Sequence, residues 1–155
     1  MNPAMASPKE KSEDDAQIFT QKLGLSYADL RRKARISQVN VAAMIALLEG
    51  NSECSQSYLS KFEHGRYIAT QKRMELLCDV IGIPPELLYM EAMVRDVPLT
   101  IAELRIIRNM RELILRRFVP ATLPPEVLAI AHRDGPNKVP RPEEPTMEVL
   151  DQEVS

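Results

Sequence analysis

The residues best suited to chemistry lie in one short segment, from Ser55 to Gly65. Leu59 and Phe62 are three residues apart and can face a hydrophobic core, whereas most other positions carry small or polar side chains. Ser55 is a suitable helix N-cap, and Gly65 is a suitable residue to end a helix. The pattern therefore predicts a short helix with one apolar face and one face of hydrogen-bond donors and acceptors.

So short a helix is not stable alone in water, so neighbouring helices must hold it in place. Small polar side chains near the N-terminus of a helix held in this way can reach the edges of bases in the major groove of DNA. Basic residues beside such a helix suit phosphates, which position a protein without reading sequence. The candidate DNA-binding residues are Gln38, Ser55, Gln56, Ser57, Tyr58, Lys61, His64, Arg66, Lys72 and Arg73.

Catalytic and metal-binding patterns are hard to find in this chain. The only histidines are His64 and His132, the only cysteines are Cys54 and Cys78, and their spacings match no paired zinc-ligand arrangement. The sequence also lacks a glycine-rich phosphate loop and a Ser-His-Asp pattern. We therefore expect no enzymatic activity, no cofactor and no metal. Two cysteines are too few for a disulfide framework and fit a reducing cytoplasm.

A family resemblance rests on the pattern Ser-x-x-x-Leu-Ser-x-x-Glu-x-Gly at residues 55–65. Leu30-Arg31 and Ile36-Ser37-Gln38 extend it upstream, and residues 74–83 and 84–88 extend it downstream. Over roughly residues 22–92 the chain resembles the phage-repressor and Cro-like helix-turn-helix proteins, of the xenobiotic-response-element type. The resemblance implies an all-α, lambda-repressor-like domain of five helices followed by a C-terminal helical extension. It also implies a structural ion pair between Arg31 and Glu63.

The chain departs from this family at two places. Gln38 and Ser60 are further apart than is usual, which predicts a loop at residues 49–54 in place of the tight turn between the second and third helices. The glycine that usually precedes Ile36 is Arg35 here. Loops accept insertions at low entropic cost, so we expect the fold to survive the first departure.

Periodicity and capping signals predict helices along most of the chain, with scarce glycine and no strand-like alternation. The expected helices are Ala16 to Leu23 ended by Gly24, Tyr27 to Arg35 capped by Ser26, Gln38 to Leu48 capped by Ser37, the segment after Ser55, Met74 to Ile81 ended by Gly82, and Pro84 to about Met93.

The best-capped helix lies after this domain, where Thr100 and Glu103 form a capping box. Its apolar residues exceed what one core requires, which indicates a dimer interface at Leu104, Ile107, Met110, Ile114 and Phe118. A second short helix, from Pro124 to His132, can either fold back or cross to another subunit. Two-fold pairing would match two half-sites on DNA.

Charge and composition together divide the chain into four parts. Residues 16–120 carry 15 basic and 11 acidic residues, whereas residues 1–15 and 121–155 are acidic. We predict a disordered arm at 1–15, a helix-turn-helix domain at 16–96, a dimerisation extension at 97–133 and a disordered, acidic, proline-rich tail at 134–155. The sequence contains no apolar run long enough to span a membrane and opens with no secretory signal.

Two functional hypotheses follow from these patterns. The first is a sequence-specific transcription regulator, a repressor that binds operator DNA as a cytoplasmic homodimer through residues 55–64. The second is a protein-interaction module, antitoxin-like or anti-activator-like, that keeps the helix-turn-helix fold but binds a second protein. The small polar face and Gln38 favour the first hypothesis, whereas the inserted loop and the modest basic charge favour the second.

Overall fold

The computed structural model describes residues 8–50 and 54–133, with side chains from Ser12 onward. Within these ranges the chain forms seven helices and no strand, which confirms the predicted all-α class. The helices are α1 (Pro8–Lys33), α2 (Gln38–Glu49), α3 (Gln56–Glu63), α4 (Gln71–Ile81), α5 (Pro85–Val94), α6 (Ile101–Arg117) and α7 (Pro125–Ala131). The predicted tail at 134–155, the start of the predicted arm and the middle of the predicted loop, residues 51–53, lie outside the described residues.

Helix α1 is continuous over 26 residues, and this overturns three predictions. Residues 8–15 are helical instead of part of a disordered arm, Gly24 does not end a helix, and Ser26 is buried inside α1 instead of capping a new helix. Gly24 is needed for a close helix crossing: a Cβ there would lie 2.8 Å from the carbonyl oxygen of Glu63 at the end of α3. The glycine therefore reflects packing between helices, a cause that local sequence signals do not separate from a helix stop.

Tyr27 stands at the centre of the core and is fully buried. Its hydroxyl donates a hydrogen bond to the carbonyl of Leu77 at 2.9 Å, and its ring meets that of Phe62 edge to face, with centroids 5.5 Å apart. Burial raises the pKa of the Tyr27 phenol well above its ordinary value, so the hydroxyl remains a donor at neutral pH. This residue links α1 to both α3 and α4.

The boundaries of α2 to α5 follow the sequence signals closely. Ser37, Ser55 and Thr70 each accept a hydrogen bond from a backbone N–H in the first turn of α2, α3 and α4. Helix α4 begins at Gln71, three residues before the predicted Met74. Gly82 ends α4 in the left-handed conformation, as predicted.

The last two helices differ in how they are packed. The capping box of Thr100 and Glu103 is present at the start of α6, yet α6 has no buried residue and packs against α5. Helix α7 packs against α2 of the same chain, with Val127 and Ile130 buried. Of the two alternatives that the sequence left open for Pro124 to His132, the structure shows the fold-back. The buried face of α7 is therefore unavailable to a second subunit.

Arg35 closes α1 in a conformation that normally requires glycine. Its φ is +59°, and the backbone N–H groups of Arg35 and Ile36 bond the carbonyls of Arg32 and Arg31 at 3.0 and 3.3 Å. This pair of hydrogen bonds is the Schellman motif, in which the residue with positive φ is usually glycine. Any residue with a Cβ is strained in this conformation.

We therefore expect Arg35→Gly to stabilise the fold by about 1 kcal/mol, because it relieves this strain. Urea unfolding followed by circular dichroism measures the change. Lys33→Gly is the matched control, since it removes the same charge from a helical position and should destabilise the chain by up to about 1 kcal/mol. Equal effects of the two variants would contradict the strain at Arg35.

Candidate nucleic-acid interface

Helix α3 has the two unlike faces that the sequence predicts. Leu59 and Phe62 are buried, whereas Gln56, Ser57 and Lys61 are exposed. The Ser55 hydroxyl accepts a hydrogen bond from the backbone N–H of Tyr58 at 3.1 Å, which satisfies one free donor at the start of the helix. The exposed polar side chains therefore project from a helix whose opposite face is fixed in the core.

The predicted ion pair between Arg31 and Glu63 is present and buried. Arg31 Nε donates to Glu63 Oε1 at 2.6 Å, and Arg31 Nη2 donates to Oε2 at 3.1 Å. Arg31 Nη1 also donates to the carbonyl of Ile36 at 3.0 Å. Since Arg31 and Glu63 are only 7% and 3% exposed, the pair joins α1 to the end of α3 away from water.

Gln38 completes this cluster instead of standing free for DNA. Its Nε2 donates to Glu63 Oε2 at 2.7 Å, which gives the carboxylate a third hydrogen bond. Glu63 is the last residue of α3, where the helix dipole disfavours a negative charge. Arg31 and Gln38 offset that cost and fix α3 against the first turn of α2.

Two other candidates, Tyr58 and Arg73, belong to a second structural cluster. Arg73 Nε lies 2.8 Å from Glu49 Oε1 at the end of α2, and the Arg73 guanidinium lies 4.8 Å from the centroid of the Tyr58 ring. Arg73 and Tyr58 are half-buried. Arg73 therefore ties α4 to α2 and covers α3, and we no longer assign it a phosphate-binding role.

Lys61 in the last turn of α3, Arg66 in the turn that follows and Lys72 in the first turn of α4 form what we call the cationic rim. All three side chains are exposed, and none forms an ion pair with an acidic residue in the described part of the chain. Lys61 Nζ lies 5.8 Å from the centroid of the Tyr67 ring. The rim therefore keeps its positive charge available to a partner.

His64 is exposed at the end of α3, with Nδ1 2.6 Å from the carbonyl oxygen of Ser60. Because a carbonyl can only accept a hydrogen bond, this contact places a proton on Nδ1 and leaves Nε2 facing solvent. His64 therefore stays a candidate for contact with DNA.

Sequence reasoning missed two residues in the turn between α3 and α4. Tyr67 and Ile68 are 46% and 75% exposed, although the segment reads as a polar connector. The signal was available, since two large apolar residues stand between a helix stop and the next N-cap with no periodic partner. This turn and the N-terminal half of α1 enclose an open groove of about 800 Å³.

The two thiols are buried and are not activated as nucleophiles. Cys54 and Cys78 are free and buried, and burial raises the pKa of Cys54 and brings that of Cys78 to about 12. Both thiols are therefore protonated at neutral pH. Within residues 8–50 and 54–133 no three His, Cys, Asp or Glu side chains are grouped to hold a metal ion, and no helix is long and apolar enough to cross a membrane.

Comparison with protein-family models, curated proteins and solved structures finds no match to this chain. The resemblance to the helix-turn-helix family therefore remains a prediction that rests on the residues themselves.

The buried ion pair yields a stability prediction. Glu63→Ala leaves the Arg31 charge buried without a partner, and we expect it to cost about 3 kcal/mol of unfolding free energy. Replacing both partners, as Arg31→Met with Glu63→Leu, should cost less than Glu63→Ala because no charge is stranded. Urea unfolding of both single variants and the double variant gives the coupling energy.

Glu112→Ala is the control, since its pair with Arg116 is exposed and should cost about 1 kcal/mol or less. Zero coupling between Arg31 and Glu63 would remove the pair from the account of how α3 is held.

Proposed function

We propose that this protein is a sequence-specific DNA-binding regulator, a repressor, whose α3 enters the major groove. The observation that carries the proposal is the fixed orientation of α3. Leu59 and Phe62 anchor one face in the core, Glu63 is held by Arg31 and Gln38, and the opposite face carries exposed polar side chains. A rigid helix with short polar groups facing outward suits hydrogen bonding to base edges.

The positive charge of the rim also supports DNA binding. Arg66 and Lys72 of the cationic rim are free positive side chains, which suit contacts to phosphates. Two phosphate contacts supply only part of the affinity that specific recognition requires, so base contacts and a second subunit must add to it. Gln56, Ser57 and Lys61 are the proposed base-reading residues.

A homodimer through α6 fits the exposed apolar surface of that helix. Ile106, Met110 and Leu113 are about half-exposed, and their i, i+4, i+7 spacing places them along one side of the helix. We call these three residues the α6 seam. Such a seam is typical of a helix that pairs with a partner helix.

The structure changes which residues the proposed interface uses. Among the residues predicted from the sequence, Leu104 and Met110 are exposed, whereas Ile107, Ile114 and Phe118 are half-buried. Ile114 and Phe118 lie beside the first residues of α5, and Arg111 Nε donates to Glu91 of α5 at 2.8 Å. These half-buried residues therefore hold α6 to its own domain, and the interface is proposed on the seam.

A protein-interaction module remains the second candidate, favoured by Tyr67 and Ile68. An isoleucine that is 75% exposed beside an 800 Å³ groove suits contact with an apolar side chain of another protein. Under this alternative the native chain shows no specific binding to DNA, and Ile68→Ala weakens its binding to the partner protein.

The base-reading proposal predicts that Gln56→Ala and Lys61→Ala each weaken binding to the specific operator by about 1–3 kcal/mol. Both residues are exposed, so the fold should be unaffected. A gel-shift titration against the DNA that adjoins the protein's own coding region provides the measurement. Asn109→Ala and Arg105→Ala, on exposed positions of α6, are matched controls. Unchanged affinity in both α3 variants would refute base reading by this helix.

For the cationic rim we expect Arg66→Ala and Lys72→Ala to weaken binding to all DNA sequences alike. Each should also reduce the slope of log affinity against log salt by about one. The check is a salt series on operator and unrelated DNA. A loss confined to the operator would reassign the residue to base reading.

The dimer proposal predicts that Ile106→Glu with Leu113→Glu yields a monomer that keeps its helicity, because a dimer would bury the new charges at the seam and both side chains are exposed in the single chain. Light scattering and circular dichroism measure the two properties. Ile101→Glu, at an 80% exposed position outside the seam, is the control and should remain dimeric. A wild-type chain that is monomeric at micromolar concentration would end the proposal.

A further inference from the structure

We propose that residues 134–155 of this chain dock on the cationic rim of α3 and compete with DNA for it. This segment carries six acidic and two basic residues and so has the sign of charge that the rim binds. Carboxylates accept hydrogen bonds from Lys and Arg as phosphate oxygens do. The inference rests on the proposed function for its consequence, since docking would regulate the same surface.

The point where the segment leaves the fold is fixed by a buried side chain. Asn40 is 5% exposed, and its Nδ2 donates to the carbonyl of Arg133 at 2.8 Å and to that of Ala131 at 3.3 Å. Asn40 lies two residues after Gln38 on α2, and Gln38 bonds Glu63 at the end of α3. The acidic segment therefore starts at the first turn of α2, on the side of that helix opposite to Gln38 and α3.

Length permits the contact. The segment has 22 residues, and a flexible chain of this length has a root-mean-square span of about 25 Å. Helix α3, with eight residues, is only about 12 Å long. The span therefore exceeds the length of α3, so the segment can reach along this helix without being fully extended.

A second cationic surface lies on α6, where Arg105, Arg108 and Arg116 are exposed. It is a poorer match, because Glu112 lies among these arginines on the same side of α6, with one oxygen 3.9 Å from Arg116 Nη2. Among the described residues no carboxylate forms an ion pair with the rim, and the one that lines the groove beside Arg66 is Glu13 on α1. The charges on α6 provide the matched control for the rim.

Docking is tested without DNA by a fluorescent peptide of residues 134–155. The acceptor is the full chain whose six acidic tail residues are changed to amides (Asp134→Asn, Glu143→Gln, Glu144→Gln, Glu148→Gln, Asp151→Asn and Glu153→Gln). Anisotropy at low salt should show binding that Lys61→Gln with Arg66→Gln and Lys72→Gln weakens by about tenfold or more, since exposed charges act most strongly at low salt. Arg105→Gln with Arg108→Gln and Arg116→Gln should change it less than twofold. No binding, or equal loss in both variants, overturns the inference.

Competition is tested by DNA affinity. The full chain with the six amides should bind DNA about tenfold more tightly than the native chain at low salt, and the difference should fall as salt rises. The control neutralises Asp14, Asp15 and Glu126, which are exposed on α1 and α7. An equal gain per charge removed means that the tail acts only through net charge and overturns competition.

The two proposals fail in different ways. A chain that binds DNA equally well with native and neutralised tails overturns the inference and leaves DNA binding intact. A chain that binds DNA in neither form overturns the proposed function, and the peptide measurement then still decides whether the tail docks.

Discussion

The orientation of α3 depends on one buried carboxylate. Glu63 ends a helix of eight residues, where its charge is unfavourable both for the helix dipole and for burial. The two hydrogen bonds from Arg31 and the one from Gln38 compensate for that cost, and they reach Glu63 from different helices. A buried ion pair adds little net stability. Its contribution here is geometric, because the guanidinium fork and the amide leave α3 a single arrangement.

Close packing reinforces this geometry from the other side of α3. The backbone of α1 at Gly24 lies against the last carbonyls of α3, and a Cβ at Gly65 would lie 2.6 Å from Cα of Gln21. Gly65 also has a φ of +71°, so two separate constraints demand glycine there. Helix α1 is therefore both the partner of the ion pair and the surface on which the end of α3 rests.

Local signals predicted most of the fold. Caps at Ser37, Ser55 and Thr100 mark helix starts because the hydrogen bonds involved lie within four residues. Gly24 and Ser26 misled the prediction because their roles arise from contacts between helices. The resemblance identified the pair of Arg31 and Glu63. Arg73 was assigned to phosphates because its partner Glu49 is 24 residues away, too far for a local pattern to connect them. On α6, the periodic pattern showed an apolar surplus but not which residues α5 would cover.

The depth of the two thiols has a practical consequence. Cys78 is fully buried between helices and its pKa is near 12, so a thiol reagent can reach it only when the core opens as a whole. Cys54 lies at the edge of the core, directly before the N-cap of α3, and a smaller opening exposes it. The labelling rate of Cys78 therefore reports global unfolding, and the labelling rate of Cys54 reports local release of α3. The difference between their labelling rates would report how firmly α3 is held against the core.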